Sequence, residues 1–418
     1  MTKTERYIYD MVKSTPWLKD LIRNIYQSFF DLLPKKKELF ADEYDYKEHF
    51  FLGFHDVQPF SEDGTKVLAQ RAEIEGHMPS ANDVLHIGYL DFKDGHFGAF
   101  HHVADSFAWN FHKGCRLQWK DTDHLIFNTR KENNVYAVSV NILTNITTPY
   151  SFPIDTVSPD GQYATTLNYH RLEYLMPGYG YLHMGEEEIL KPAPANDGLY
   201  IVKFENEEKK LLFSYKELAE ETDNTTQLFH YITHSSFSKD GRYIACLHRY
   251  ISLQDKDKRT TRLIIYDQKT SKHFSLPTQG MVSHYVWNSD NQIVAYCRID
   301  GQDCHALFSI AEGKCVAASP TVPTVLNSDG HQSFIDNNSF VTDTYPDKYR
   351  MAKLYKVDIP SHSVTLLASV YSPKQFQTKD MYNHIACDLH PRVSRDGKFV
   401  CFDSPRTSVR SLYIIKCK

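Results

Sequence analysis

Apolar and polar residues alternate in short bursts along most of this chain, and the bursts are separated by Asp-Gly, Asp-Asn or Asn-Asn pairs. The stretch His390-Pro-Arg-Val-Ser-Arg-Asp-Gly-Lys-Phe-Val-Cys-Phe-Asp-Ser shows the unit well: a short strand, a tight turn and a returning strand. Asp-Gly favours the hairpin turn in which both central residues take positive φ. The unit recurs as His234-Ser-Ser-Phe-Ser-Lys-Asp-Gly, and more loosely as His284-Tyr-Val-Trp-Asn-Ser-Asp-Asn and His331-Gln-Ser-Phe-Ile-Asp-Asn-Asn. In all four, a histidine stands six residues before the first turn position, at Asp240, Asp290, Asn337 and Asp396.

Seven copies can be traced from residue 47 to the end, with turns at Asp63-Gly64, Asp121-Thr-Asp123, Asp160-Gly161, Asp240-Gly241, Asp290-Asn291, Asn337-Asn338 and Asp396-Gly397. Each turn leads into a second strand (Lys66–Arg71 in the first copy, Lys398–Asp403 in the last). A third, aliphatic and aromatic strand follows (Val84–Phe92 first, Ser411–Lys416 last). Short strands repeating at this period predict an all-β, seven-bladed β-propeller with a short N-terminal helical extension. The domains expected are 1–46, the helical extension and a closing strand, and 47–418, the propeller. A propeller must hide its sheet edges. The chain ends on a third strand, so the segment around Phe40–Phe51 is expected to supply the missing outer one.

The exception to the period-two pattern is the N-terminal region. After Thr15-Pro16, apolar residues recur at helical spacing through Trp17, Leu18, Leu21, Ile22, Ile25, Phe29, Phe30 and Leu33, and Pro34 ends the run before Lys35-Lys-Lys37. The leading expectation is a helix packed on the outside of the propeller. The second is peripheral membrane contact through residues 16–37, with the lysines at the headgroups.

Composition narrows the setting. The 418 residues are 24% charged and 41% hydrophobic, as in an ordinary globular protein. The formal net charge of −5 argues against general nucleic-acid binding, so an anionic partner needs a local basic cluster. The N-terminus lacks the apolar core of a signal peptide. Eight cysteines lie singly, several within apolar strand patterns, and read as thiols in a reducing compartment. A cytoplasmic location is expected.

Propeller geometry turns these offsets into positions. The starts of first strands, the ends of second strands and the second-to-third loops share one face. His234, His284, His331 and His390 are expected to converge at the channel mouth there, with Asp388, Gln332, His55 and His112 nearby in repeat register. Neutral imidazoles suit a divalent transition metal, and an unmetallated polar histidine cluster is the competing reading. Arg71, Arg130, Arg171, Arg249, Arg298 and Arg406 stand at or near second-strand ends of six copies. On one rim they would form a bowl for an anion, because guanidinium binds carboxylate bidentately. The longest connection, His170-Arg171-Leu-Glu-Tyr-Leu-Met-Pro-Gly-Tyr-Gly-Tyr181, reads as a sugar-stacking or lid loop, or else as a packed Ω-loop.

The repeats Phe237-Ser-Lys-Asp-Gly-Arg and His390-Pro-Arg-Val-Ser-Arg-Asp-Gly-Lys resemble the TolB-type propeller repeat. The histidine pattern with Asp388-Leu-His390-Pro resembles the oligogalacturonate lyases, and the resemblance covers most of residues 47–418. It implies β-elimination of short uronic-acid oligosaccharides, a carbon–oxygen lyase reaction, with Mn²⁺ on histidines and a glutamine. His284 and His390 match the metal-binding positions, His234 matches the histidine base, and Asp388 stands where that family has a further histidine. The resulting assignment has His284, His331, His390 and Asp388 as metal ligands. Mn is the first choice, with Zn, Fe, Ni or Ca as alternatives. His234, Arg171, Arg249 and Tyr345 are assigned to catalysis, Tyr345 as proton donor to the leaving oxygen. Arg71, Arg130, His170, Arg298 and Arg406 are assigned to binding an acidic saccharide. The alternative is a non-catalytic propeller that binds an acidic glycan or a partner in surface-polysaccharide metabolism. A bare protein-interaction scaffold leaves the aligned histidines without a reason.

Overall fold

The computed structural model describes residues 26–181, 191–223, 225–321, 328–378 and 383–417, together with positions 22 and 326. Its repeating device is the sequence Ser-x-Asp-Gly. In Ser61–Gly64, Ser158–Gly161, Ser238–Gly241 and Ser394–Gly397 the glycine N–H donates to the serine carbonyl at 3.1, 2.9, 2.9 and 2.9 Å. The serine hydroxyl donates to the aspartate at 2.6, 2.5, 2.6 and 2.6 Å and accepts the N–H five residues on. Only the glycine is left-handed, at φ 69°, 68°, 75° and 72°. The expected turn with two positive-φ residues is therefore corrected. Three polar bonds per turn hold the aspartate on the ordinary side of φ, so glycine alone carries the reversal.

Such a turn joins the first two strands in four of seven antiparallel sheets, and the seven sheets make the fold a seven-bladed β-propeller. Blade 1 runs Phe50–Phe51, Lys66–Arg71, Leu85–Lys93, His96–Ser106. Blade 4 runs Phe229–Phe237, Tyr243–Ser252, Asp255–Asp267, Lys272–Ser275, and blade 5 runs Val282–Ser289, Gln292–Ile299, Gln302–Ala311, Lys314–Pro320. In blade 7, Tyr44–Glu48 forms the outer strand against Ser411–Lys416, with Tyr46 opposite Tyr413. Phe50–Phe51 then opens blade 1. Two residues after sealing the last blade the chain begins the first, and His49 makes that corner at φ 67°. A fifth strand, Leu39–Phe40, extends blade 6.

Both faces of each blade pack on neighbours, so middle strands read as near-continuous apolar runs. Ser339–Asp343 is buried throughout, whereas the outermost Lys314–Pro320 is mostly exposed. The core is correspondingly divided between adjacent blades. Leu247, Leu263 and Ile265 meet Trp287, Ile293 and Phe308 between blades 4 and 5. Cys401, Leu412 and Ile414 meet Phe50, Phe60 and Leu90 across the closure. All eight cysteines are free.

Residues 26–31 are helical, and the earlier part of the expected helix lies mostly outside the described residues. This turn docks on blade 6. Arg350 donates to both oxygens of Asp31 at 2.7 and 3.0 Å, and Phe30 meets Tyr349 edge-on at 5.0 Å. Among the described residues no helix is long and apolar enough to cross a membrane.

Candidate functional site

The aligned histidines meet. Ring centroids are 4.0 Å apart for His284 and His331, 4.2 Å for His331 and His390, and 6.4 Å for His234 and His284. His55 joins them at 5.1 Å from His331. The ring of Phe54, 1% exposed, lies under the arc, 4.3 Å from His234 and 5.1 Å from His390. Local strand irregularities aim these side chains. His234 sits where the pairing steps from Thr233↔Leu247 to Ser236↔Ala245, and His284 where it steps from Val282↔Cys297 to Tyr285↔Ala295. Such bulges re-aim a side chain out of the pleat. His234 and His390 also hold φ of 57° and 44°, a costly region for a non-glycine residue, and such strain collects at functional sites.

Each imidazole is fixed from behind. Nδ1 of His390 donates to the Gly53 carbonyl at 2.8 Å, and Nδ1 of His55 donates to the Gln332 carbonyl at 3.1 Å. Nδ1 of His331 lies 3.0 Å from each Asp343 oxygen, and Nδ1 of His284 lies 3.1 Å from Asp329. With Nδ1 protonated, Nε2 keeps its lone pair. Nε2 of His234 and of His390 are buried and have no protein partner among the described residues. Burial is the main cause holding His55, His112, His234, His331 and His390 well below the ordinary imidazole range, so they are neutral at pH 7. Neutral rings oriented by acceptors on the far nitrogen are what metal ligation requires.

At the channel mouth, among the described residues, the ligand atoms of His112, Asp388 and His390 all come within 4.8 Å of one another. His112 Nδ1 is 3.9 Å from Asp388, and its Nε2 is bonded to His384. Burial, then Asp343, pushes Asp388 up to about 7. His331 and His284 continue the arc from His390.

Beside the arc lies a cavity of about 430 Å³, lined by His234, His284, Asp388, Tyr179, Tyr345, Arg249 and Arg259 among others. Arg249 is 3% exposed. Among the described residues its Nε has no partner, and it makes a contact at 3.0 Å to the Met176 sulfur and a long one at 3.5 Å to the Ser283 carbonyl. Burial first, then the neighbouring Arg259, lowers it to about 10. Tyr345 is 44% exposed and 6.0 Å from His331.

The other arginines do not line this cavity. Arg171 is turned inward and spent on the carbonyls of His230, Lys191 and Pro192, over the Tyr215 ring. It sits in the helix Tyr169–Leu175, which replaces the expected strand end; neighbouring His170 is half-buried outside the cavity. Arg71 pairs with Glu73, Arg298 with Asp303, and Arg406 with Glu38 at the closure. Arg130 also lies away from the cavity. The six-arginine bowl is thus reduced to Arg249, joined by Arg259 and by Arg350, whose guanidinium is held by Asp31. The connection through residues 170–181 is packed. Glu173 accepts from Gly178 and Gly180 at 3.0 Å, Tyr181 is buried, and Tyr179 stacks on His112 at 4.9 Å.

Sequence offsets missed Phe54, Arg259, Asp329, Asp343 and His384. Asp343 follows His331 by twelve residues and accepts its backbone N–H at 2.7 Å across the first hairpin of blade 6. That spacing is visible in the sequence only once the hairpin register is known.

The class defined by fold and site is a seven-bladed propeller with a histidine-lined, arginine-flanked channel mouth. No family model matches the chain, and no curated protein matches it. Among solved structures it is similar to the tricorn protease at 11% identity and a TM-score of 0.52, covering 92% of this chain and 34% of that one. It thus spans about a third of that protein. TolB from Acinetobacter baumannii (13% identity, TM-score 0.39, 82% and 67% covered) and the propeller domain of the Trilobed protease from Pyrococcus furiosus (13%, 0.42, 71% and 78%) are similar more loosely. The likeness to the tricorn protease concerns the fold alone.

Proposed function

We propose that the channel mouth is the active site of a metal-dependent enzyme acting on an acidic, uronate-containing oligo- or polysaccharide by β-elimination. The observation that carries this reading is the arc of buried histidines, with His55, His331 and His390 tied back through Nδ1, beside a buried arginine that has no anionic partner among the described residues. The resemblance of the histidine pattern to the oligogalacturonate lyases supports the same reading.

His112, Asp388 and His390 would hold the cation, with His331 and His284 beside them; Mn²⁺ is the first choice, and Zn²⁺, Fe²⁺ or Ni²⁺ also suit nitrogen-rich ligands. A bound divalent cation would supply Lewis acidity toward the uronate carboxylate, which acidifies the proton on the adjacent carbon. Arg249 and Arg259 bind the same carboxylate and stabilise the charge developing on it. His234 takes the C5 proton at its free Nε2. The C5–H electrons become the C4–C5 double bond, the C4–O bond breaks, and Tyr345 donates its proton to the departing oxygen. Arg171 has no part in this, its donors being occupied.

Incubating the protein and Mn²⁺ with uronate oligosaccharides, while following ultraviolet absorbance of the unsaturated product, tests the reaction. Absorbance should rise with wild type and fail to rise with His234→Ala. No rise with galacturonate, glucuronate, mannuronate or guluronate oligomers would overturn the lyase reading.

A further inference from the structure

Outward along blade 1, its third and fourth strands carry a second concentration of histidine. His86 belongs to Leu85–Lys93, and His102 and Asp105 to His96–Ser106. Nδ1 of His86 lies 2.7 Å from Asp105 Oδ1, and Nε2 of His102 lies 2.8 Å from the same oxygen. All three ligand atoms lie within 4.8 Å of one another. The imidazole planes meet at 75°, with centroids 5.5 Å apart, as they would on two edges of one coordination sphere.

Regular alternation would put residues 102 and 105 on opposite faces of the strand. A bulge prevents this. The pairing runs His86↔Asp105 and Ile87↔Ala104, then steps to Gly88↔His102, leaving Val103 extra. The phase slips by one residue, and His102 and Asp105 come to the face shared with His86. Gly88 makes the slip feasible, because a Cβ there would overlap the His101 carbonyl oxygen.

We propose that His86, His102 and Asp105 form a second cation site, one that takes a zinc-like ion (Zn²⁺, Cu²⁺ or Ni²⁺) and clips the two outer strands of blade 1 together. Two imidazoles and one carboxylate are a borderline-soft donor set that suits these ions. Ca²⁺ and Mg²⁺ demand oxygen ligands and are poorly served here. The three side chains are between 37% and 50% exposed, which leaves the remaining coordination positions to water. The ion takes the place of the two hydrogen bonds to Asp105 Oδ1, with each imidazole carrying its proton on the ring nitrogen away from the ion. The site is independent of the channel mouth and survives if the proposed lyase reading fails.

The test is zinc stoichiometry and affinity of the untagged chain by isothermal titration calorimetry, comparing wild type with His102→Ala and with Asp105→Asn. Both positions are exposed, so neither change threatens the fold. The expected result is loss of one zinc equivalent, or at least about a tenfold weakening of one site, in each variant. His390→Ala, which removes a channel-mouth ligand, should leave that site intact. Unchanged stoichiometry and affinity in His102→Ala and Asp105→Asn overturns the proposal, whatever happens at the channel mouth.

Discussion

Arg249→Met separates what the cavity costs from what it does. The guanidinium is almost completely buried, and among the described residues its Nε has no partner and its other contacts are a sulfur and one long carbonyl contact. Burial and Arg259 lower it from the ordinary guanidinium range to about 10. A base whose folded pKa is depressed costs stability wherever both states are protonated, so the cost is fully present at pH 7. At 1.36 kcal/mol per pKa unit, the depression corresponds to roughly 3 kcal/mol. Met retains much of the apolar stem and removes the charge. The free protein should therefore become more stable by about 1–3 kcal/mol, as when buried ions are replaced by hydrophobes. The same change removes charge-assisted hydrogen bonds of about 1.5–3 kcal/mol to a bound carboxylate, so affinity should fall roughly 10- to 150-fold. Urea unfolding at pH 7 and calorimetric titration with a uronate oligosaccharide read the two effects. A destabilised variant, or one that binds the oligosaccharide as tightly as wild type, would refute the reasoning.

Other outcomes follow from neighbouring parts of the site. Burial raises Glu173 to about 7, so the folded state holds this proton where the unfolded chain, near 4.5, has lost it. The associated stability is fully present below about pH 4.5 and is lost as pH rises through about 7, by at most roughly 3 kcal/mol before allowing for the group's partial exposure. Glu173→Gln should flatten the fall of Tm between pH 5 and 8 and be the more stable form at pH 8; parallel curves would show that the carboxyl is not buried as described. Gly330 directly precedes His331, and a Cβ there would overlap the Asp343 carbonyl and approach Thr342 Oγ1 to 2.7 Å. Gly330→Ala should cost about 1–3 kcal/mol in urea unfolding and lower metal uptake, because His331 and Asp343 move together. A variant with unchanged stability and uptake would show the backbone to be more yielding here than the packing implies.

The ring was legible because its signal is local and repeated. Ser-x-Asp-Gly turns recur, and the intervening runs have strand length; Lys66–Arg71 and Ser411–Lys416 have the boundaries expected from pattern alone. The convergence of four histidines was legible for the same reason, since equal offsets in a closed ring meet at its axis. The arginines were not. Their offsets place Cα atoms on one face, but a long side chain is claimed by whatever acceptor lies nearest. Glu73, Asp303 and Glu38 took Arg71, Arg298 and Arg406, and the helix after Asn168 turned Arg171 inward. Arg259 reaches the cavity from a long hairpin, Tyr243–Ser252 to Asp255–Asp267, that exceeds the repeat. Phe54, Asp329 and His384 likewise fall outside the shared offset.

The central claim is that the imidazoles at the channel mouth hold a metal ion. Its most direct test is elemental analysis after incubation with Mn²⁺ and gel filtration, comparing wild type with His390→Ala and His390→Gln at matched circular dichroism. The account predicts one ion per chain more in wild type than in either variant. Equal metal content in all three, including none in any, would contradict it.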